Sequence, residues 1–304
     1  MELPFVTVDV FTKTRYRGNP LAVVTIPASP SPQPTQEQKQ AVAREFNLSE
    51  TVFIHDAPEG DPSKERRIDI FLPTREIPFA GHPTVGTAVS LLSKGVTRLL
   101  AKAGPLEIVK TGDDSVRAGI PYELRLHAKK LKDIPNAEST PDAEVSRAEL
   151  DAPVFSIVNG MTFILVELPS LEALAKAEHR HCPNDELCDK GWGGGFMSKY
   201  HFVRTSEAET DENGAQVLNL RTRMLEGSFE DPATGSAACC LCSYLSTVTE
   251  TSNAHQQFRY QLTQGVEMGK ESSITVEIVM KDNKVDKVYL AGSAVQVMRG
   301  HVQI

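Results

Sequence analysis

The sequence predicts a mixed α/β protein built from two lobes of similar plan. Its 304 residues exceed the length at which a single hydrophobic core usually stops growing, about 250–300 residues. Each half of the chain contains short apolar strands, followed by a glycine turn that leads directly into an apolar helical run. No shorter period recurs, so the repetition is two-fold and a solenoid is excluded.

Apolar patterning and capping signals predict the individual elements. Strands are predicted at 5–11, 21–26, 51–54, 67–72, 154–158, 163–168, 200–204, 218–223, 274–280, 287–290 and 294–298. Thr35 and Gln38 have the spacing of a capping box, which predicts a helix that ends near Asn47. A further helix is predicted near 171–178. Loops are predicted at 28–34 and 56–65, and a polar, proline-spaced stretch at 128–151 follows the lobe boundary.

The two glycine turns are the most informative features. Around Gly81, His82 is predicted as the N-cap of a helix and Pro83 as its first residue, where the missing N–H of proline costs nothing. Gly95 is predicted to end that helix. The run after Gly235, predicted as a helix at 237–245, is apolar on nearly every side and should be buried. Two helix starts that face one cleft would bind an anion without a metal, because they present unpaired N–H groups and positive dipole ends.

Composition narrows the partners and the compartment. Lys and Arg total 32 against 40 Asp and Glu, a formal charge of −8, which disfavours nucleic acid or an anionic membrane as a partner. No apolar run approaches the roughly 18 residues of a membrane span, and the strand pattern from residue 5 leaves no room for a signal peptide. Five cysteines, three of them at 239, 240 and 242, form no disulfide framework, so we expect a reducing cytoplasm.

Neither a metal nor a cofactor is expected from the motifs. The only metal-like cluster comprises His179, His181, Cys182 and Cys188, and its spacing fits no standard zinc pattern. The glycine-rich segment at 191–195 lacks both the Lys-Ser/Thr of a P-loop and the GxGxxG spacing, so we interpret it as a flexible loop.

Four separated motifs, in the same order along nearly the whole chain, closely resemble the PhzF family of phenazine biosynthesis PhzF-like proteins. They are Gly18-Asn19-Pro20-Leu21-Ala22-Val23-Val24, Asn47-Leu48-Ser49-Glu50-Thr51, Phe71-Leu72-Pro73-Thr74-Arg75-Glu76-Ile77-Pro78-Phe79-Ala80-Gly81-His82-Pro83-Thr84 and Asp231-Pro232-Ala233-Thr234-Gly235-Ser236-Ala237. The closing Gln264-Gly265-Val266-Glu267-Met268-Gly269 and Gly292-Ser293-Ala294 look similar too.

This resemblance implies a diaminopimelate epimerase-like fold. Each of two pseudo-symmetric lobes would be a curled, mostly antiparallel sheet around a central helix, with the active site in the cleft between the lobes. We expect lobes at 1–127, completed by a C-terminal strand at about 288–304, and at 128–287. The resemblance also implies a homodimer and the cofactor-free isomerisation of a small carboxylated substrate by proton transfer between carbons.

The resemblance also assigns site residues. The catalytic residues would be Glu50 (the proton-transferring base), His82 and Asp231, and the substrate-binding residues would be Asn19, Gly81, Gly235 and Ser236. Racemases of this fold that use two thiols carry a cysteine just before each turn glycine. Ala80 and Thr234 occupy those positions, which excludes a two-thiol mechanism. Lys270-Glu271 stands where the family commonly has Arg-Pro, and lysine does not make the bidentate carboxylate contact of which arginine is capable.

Taken residue by residue, several interpretations stay open. Glu50 is either a partly buried base, with its pKa raised above about 4.3, or a strand-edge residue in solvent. His82 either only caps its helix or also acts in catalysis, and Asp231 either starts a turn or acts on the substrate. Ser236 is either an N-cap or a hydroxyl donor. Glu76 is interpreted as a structural group rather than a rival base.

Two competing functions remain. One is a catalytically silent relative that binds small molecules, towards which Lys270-Glu271 points weakly. The other is a lyase or cyclising enzyme that begins with the same proton abstraction, since a fold and a base do not fix the product.

Overall fold

The computed structural model describes residues 1–28, 33–58, 60–249 and 256–304. Parts of two predicted loops, residues 29–32 and residue 59, lie outside the described residues. The chain divides into two compact units. Unit 1 comprises Met1–Ile120 and Leu290–Ile304, and unit 2 comprises Pro121–Tyr289.

The elements are numbered in chain order. The strands are β1 (Glu2–Val10), β2 (Asn19–Ile26), β3 (Thr51–His55), β4 (Glu65–Phe71), β5 (Glu76–Ile77), β6 (Arg98–Ala101), β7 (Gly104–Gly112), β8 (Ser115–Gly119), β9 (Arg125–Leu126), β10 (Val154–Val158), β11 (Met161–Glu167), β12 (Phe196–Arg204), β13 (Glu209–Thr210), β14 (Gln216–Glu226), β15 (Phe229–Asp231), β16 (Gln257–Gln264), β17 (Ser272–Lys281) and β18 (Lys284–Gln303). The helices are α1 (Gln36–Phe46), α2 (Gly81–Ser90), α3 (Ala143–Asp151), α4 (Leu171–Ala175), α5 (Asn184–Leu187) and α6 (Gly235–Tyr244).

In unit 1 a mixed sheet surrounds helix α2. Strand β1 pairs antiparallel with β2 and with β18, β2 parallel with β3, β3 antiparallel with β4, β4 parallel with β6, and β6 antiparallel with β7. Strand β7 pairs with β8, which also pairs with β18. The ring of strands therefore closes, and α2 packs against β1, β2, β3 and β8.

Unit 2 repeats this plan. Strand β10 pairs antiparallel with β11, β11 parallel with β12, β12 antiparallel with β14, β14 parallel with β16, and β16 antiparallel with β17. This succession of orientations is the one that runs from β1 to β7 in unit 1. Helix α6 takes the place of α2: it follows the short strand β15, as α2 follows β5, and packs against β10, β11 and β17. The two units are therefore pseudo-symmetric, each built around one buried helix.

The division between the units differs slightly from the sequence-based boundaries at 127/128 and 287/288. The first boundary falls earlier, after Ile120, because β9 pairs with β10. Its hydrogen bonds tie the segment before residue 128 to unit 2. The second falls between Tyr289 and Leu290.

Local sequence signals give mixed results for the helices. The capping box of α1 is confirmed, since Thr35 accepts a hydrogen bond from Gln38 N and the Gln38 side chain accepts one from Thr35 N. Asn47 ends that helix in the left-handed conformation. The helix predicted near 171–178 is shorter, because α4 ends at Ala175. Within the polar stretch at 128–151, α3 was not predicted.

The prediction that His82 is an N-cap is wrong. Helix α2 begins at Gly81, its N-cap is Ala80, and no side chain caps it. The Ala80 carbonyl already accepts the first intrahelical bond from Thr84 N, so His82 and Pro83 lie within the first turn. The helix ends at Ser90, and Gly95 ends the short 3-10 turn Leu92–Lys94 that follows.

The C-terminal strands also differ from the prediction. The segments at 287–290 and 294–298 are parts of one strand, β18, which continues through Gly292. A side chain at Gly292 would collide with the Phe11 ring, its Cβ lying 2.4 Å from Phe11 Cδ1. In the part of the chain that the structure describes, no helix has both the length and the apolar character that a membrane crossing requires.

Candidate active site

Glu50 lies at the entrance to β3, directly after the loop that ends α1. Asn47 reverses the chain there with a φ of 50°, and β3 then runs parallel to β2, with Thr51 opposite Ala22. The Glu50 side chain is 14% exposed, and its Oε2 atom is buried. Glu50 is therefore not the solvent-exposed strand-edge residue that its charge alone suggests.

His82 contacts this carboxylate. As the second residue of α2 it is 4% exposed, and its Nδ1 atom lies 3.4 Å from Glu50 Oε2. This distance is longer than an ordinary hydrogen bond. Among the described residues, none donates a hydrogen bond to Glu50 Oε2. The site thus holds a carboxyl group beside an imidazole at the positive end of a helix.

Burial changes the ionisation of Glu50. Removal from water raises the pKa of its carboxyl from 4.5 to about 7, and a hydrogen bond from Ser49 opposes this with a smaller lowering effect. A group with this pKa exchanges protons readily near neutral pH, which is the property required of a general base. Strongly perturbed carboxyls of this kind concentrate at functional sites.

Asn19 supports the loop that carries Glu50. It is 1% exposed at the start of β2, and its Oδ1 atom lies 3.5 Å from the Ser49 hydroxyl. The preceding Gly18 has a φ of +66°, and a Cβ there would lie 2.3 Å from Val10 O. Glycine is thus required for the turn that brings Asn19 to Ser49.

The glycines Gly81 and Gly235 are the first residues of α2 and α6. In each helix the first intrahelical hydrogen bond is donated by the backbone N–H of the fourth residue, Thr84 or Ala238. The N–H groups of earlier residues in the first turn therefore donate no hydrogen bond within the helix, and such groups can bind an anion. Ser236 is the second residue of α6, in the position that His82 holds in α2. Its interpretation as an N-cap is therefore wrong, because Thr234 takes that place.

Asp231 ends β15 and is 7% exposed. Its Oδ2 atom accepts a hydrogen bond of 2.6 Å from the Thr234 hydroxyl. Gln264 contacts the same turn through Asp231 O and Thr234 Oγ1. Sequence reasoning treated Thr234 only as the absence of a cysteine and gave Gln264 no role. The sequence signal for a role of Gln264 is its place in the Gln264–Gly269 segment, which resembles the PhzF family.

Topology shows that the base has no counterpart in unit 2. Glu50 precedes β3, and Gly195 precedes the equivalent strand β12. A Cβ at Gly195 would lie 2.1 Å from Gly160 O, so no side chain fits there. The two units are therefore alike in fold and different in chemistry.

Glu76 is held in ion pairs and hydrogen bonds at the surface. Its Oε2 atom accepts from Gln36 Nε2 at 2.9 Å and from Lys102 Nζ at 3.3 Å. The three residues line a cavity of 460 Å³ in unit 1 whose other charged residues, Lys39, Arg67 and Asp69, pair with one another. These contacts support its interpretation as a structural group.

One arrangement in unit 2 has the composition of a hydrolase triad but the wrong proton positions. His127 Nε2 lies 2.8 Å from Ser156 Oγ, and Asp189 donates its backbone N–H to His127 Nδ1 at 3.1 Å. The ring proton is therefore on Nε2 and points at the serine, whereas a general base needs a lone pair there. Ser156 is also fully buried and bonded to Thr162, so the cluster is structural.

The metal-like cluster of the sequence comprises His179, His181, Cys182 and Cys188. Within the described residues, no group of three or more His, Cys, Asp and Glu side chains is arranged to hold a metal ion. Burial raises the pKa of the Cys182 thiol to about 12, so this side chain is a neutral thiol near neutral pH.

Comparison with known proteins is consistent with this fold. The model of the PhzC-PhzF family, described as phenazine biosynthesis-like protein, matches residues 8–300. An uncharacterized isomerase of Mesorhizobium japonicum is 32% identical, with 97% of each chain covered. The trans-2,3-dihydro-3-hydroxyanthranilate isomerase of Pseudomonas aeruginosa is 28% identical, with 99% of each covered. The crystal structure of a PhzF-family protein from Bacillus anthracis superposes with a TM-score of 0.73 at 21% identity, covering 100% of both chains.

The curated relatives are named as isomerases, and the chain is an enzyme of the isomerase class. The chain belongs to the PhzC-PhzF family of phenazine biosynthesis-like proteins.

Proposed function

We propose that the protein is a cofactor-independent isomerase that moves a proton between carbons of a small carboxylate-bearing metabolite, with Glu50 as the base. The observation that carries this proposal is the buried Glu50 carboxyl, with a pKa of about 7, at 3.4 Å from His82. An ordinary glutamate carboxylate is a weak base towards a C–H proton. Burial raises its pKa towards the operating pH and so makes it a stronger base.

The proposed reaction moves one proton and requires no co-reactant. The ionised Glu50 carboxylate takes a proton from one substrate carbon, and the electron pair of the C–H bond shifts into the conjugated system of the substrate. Protonated Glu50 exchanges its proton with solvent and then delivers a proton to another carbon, which regenerates the carboxylate. The imidazole of His82 and the first amides of α2 are placed where they can stabilise the negative charge that develops.

The pseudo-symmetry of the fold supports a single base. A racemase that works from both faces needs an acid/base group from each half, and Gly195 offers none at the position equivalent to Glu50. We therefore assign to Asp231 the orientation of the substrate. Asn19, Gly81, Gly235 and Ser236 are proposed to bind the substrate. We propose a homodimer from the family resemblance and a cytoplasmic location from the cysteine pattern, and sedimentation of the purified chain tests the dimer.

The name of one relative supports a proposal for the substrate class. Because one is named for trans-2,3-dihydro-3-hydroxyanthranilate, we propose a cyclic, amino acid-like carboxylate of this kind. Lys270 donates its backbone N–H to Gly265 O in a tight turn, and its ammonium group would contact a carboxylate as a single point charge.

The test is turnover in heavy water. The purified protein is incubated in D2O with trans-2,3-dihydro-3-hydroxyanthranilate and a panel of cyclic amino acids, followed by proton NMR. We expect isomerised product with deuterium at the newly protonated carbon. A rise in melting temperature with one of these compounds, with no product and no exchange, would favour a silent binding protein instead. Elimination of a group from one of these compounds would favour a lyase.

A further inference from the structure

Gln264, at the end of β16, makes every hydrogen bond of which its amide is capable. The side chain is fully buried. Its Nε2 donates to Asp231 O at 2.8 Å and to Thr234 Oγ1 at 3.0 Å. Its Oε1 accepts from Thr234 N at 3.2 Å and from the Tyr200 hydroxyl at 3.0 Å. Two donors and two acceptors are the full capacity of a carboxamide.

These partners fix which end of the amide is nitrogen. Asp231 O can only accept and Thr234 N can only donate, so the reversed orientation of Gln264 would place like groups against each other. Thr234 Oγ1 must therefore accept from Gln264 Nε2, and its own proton must point elsewhere. It points at Asp231 Oδ2, 2.6 Å away, a length typical of a hydroxyl that donates to a carboxylate.

Gly265 lets the end of β16 approach the same turn. It has a φ of +76°, and a Cβ there would lie 2.5 Å from Pro232 O and 2.7 Å from Lys270 O. Only glycine fits between these carbonyl groups. The Gln264-Gly265 pair thus serves the turn that carries Asp231 and begins α6.

The carboxylates nearest to Asp231 along the chain are paired with arginines. On the same hairpin, Glu230 is paired with Arg223 through two contacts of 2.9 Å. Glu267, beyond Gly265, is paired with Arg221 at 2.9 Å. Burial raises the pKa of the Tyr200 hydroxyl well above its ordinary value, so it stays neutral. The buried thiols of Cys239 and Cys242 on α6 are likewise kept neutral by burial, which raises their pKa values.

We propose that Gln264 is a positioning residue that acts through Thr234: it directs the Thr234 hydroxyl proton to Asp231 and so fixes the orientation and ionisation of that carboxylate. The importance of Asp231 to turnover rests on the proposed function, whereas the hydrogen-bond relay does not.

The test follows the ionisation of Asp231 directly in the full chain by ¹³Cγ NMR of labelled aspartate, with Asp231→Asn to assign the signal. Thr234→Val keeps the shape of the side chain and removes the hydroxyl. Gln264→Glu keeps both acceptors, removes both donors and adds a negative charge. We expect the Asp231 titration midpoint to move upward by about one pH unit or more in each variant. Thr234→Ser, which keeps the hydroxyl, should have the wild-type midpoint. Thr222→Val removes a hydroxyl that is bonded to Tyr200 and not to Asp231 or Gln264, and it should leave the midpoint unchanged.

An unchanged midpoint in folded Thr234→Val overturns the proposal, because a merely structural role alters stability and not the titration. If Gln264→Glu does not fold, Thr234→Val and Thr234→Ser decide the question. The titration needs no substrate, so failure of the proposed isomerisation would be a separate result from failure of this relay.

Discussion

Nδ1 of His82 lies 3.4 Å from Oε2 of Glu50, and both side chains are largely buried in unit 1. Two features of the chain create this contact. The left-handed cap at Asn47 turns the chain from α1 towards β3, just before Glu50. Helix α2 begins at Gly81 with Ala80 as its N-cap, so His82 lies in the first turn. The carboxyl is taken out of water without a full set of hydrogen bonds. The buried Glu50 carboxylate therefore lowers the stability of the folded protein.

Replacing Glu50 by Gln should stabilise the protein above neutral pH. Burial raises the pKa of Glu50 from 4.5 to about 7, so between these pH values the unfolded chain loses a proton that the folded chain keeps. The wild type is thus destabilised as the pH rises from about 4.5 to 7 and stays so above. Denaturant unfolding should show Glu50→Gln more stable by about 3 kcal/mol at pH 8 and equal to wild type at pH 4.

Glu76→Gln is the matched control for that experiment. It removes a carboxylate that contacts Gln36 and Lys102 at the edge of unit 1, and it should lower stability by no more than about 1 kcal/mol. A Glu50→Gln variant that is less stable than wild type at pH 8 would show that the carboxyl is better solvated than we infer.

The pH dependence of turnover should follow the same group. Because the base must be ionised and its pKa is about 7, kcat/KM should rise with pH and level off above that value. Initial rates at saturating and limiting substrate between about pH 5 and 9 measure it. A flat profile across this range would contradict a Glu50 base with a raised pKa.

Breaking a buried ion pair in unit 2 should strongly destabilise the protein. Glu149 and Lys199 are fully buried and 2.8 Å apart, and His201 Nε2 lies 2.8 Å from the second carboxylate oxygen. Burial alone would raise the pKa of Glu149, but His201 and Lys199 together lower it to about 2. Lys199→Met should cost about 3–5 kcal/mol, because it removes a partner of a buried charge.

The double variant Lys199→Met with Glu149→Leu is the control for that loss. Removing both charges should recover part of the lost stability in urea unfolding. If the double variant is no more stable than Lys199→Met alone, the loss comes from packing rather than from the unpaired carboxylate.

Gly86 in α2 should not tolerate alanine. A Cβ there would lie 2.6 Å from Val10 Cγ2 and 2.7 Å from Leu21 Cδ2, so strands β1 and β2 leave it no room. Although alanine favours helix by about 1 kcal/mol over glycine, crowding should dominate and destabilise by about 1–3 kcal/mol. Gly119→Ala, where a Cβ meets nothing within 4 Å, is the matched control. Equal melting temperatures for the two variants would refute the close packing of α2.

Features set by neighbouring residues could be predicted from the sequence. The capping box of Thr35 and Gln38 spans three positions, and the apolar run of α6 signals its burial. The start of α2 could not be read in this way, because sequence signals for an N-cap depend on a side chain and Ala80 supplies only its carbonyl.

Features that depend on distant partners also escaped prediction. Glu149 lies in a polar stretch that suggests a loop, yet it is buried because Lys199, 50 positions away, pairs with it. Gln264 is 64 positions from Tyr200 and 30 from Thr234, so its role emerges only when β12, β16 and α6 are folded. The importance of Glu50 could be inferred from family motifs, whereas its burial required coordinates.

Turnover by Glu50→Gln in heavy water is the most direct test of the assigned base. Wild type, Glu50→Gln and Glu50→Asp are compared, after circular dichroism has shown that each is folded, for isomerisation of the substrate and deuterium at the newly protonated carbon. We predict that Glu50→Gln loses at least about 100-fold in kcat, with no deuterium incorporated beyond the uncatalysed level, while Glu50→Asp keeps measurable exchange. Deuterium incorporation by Glu50→Gln at the wild-type rate would contradict the assignment.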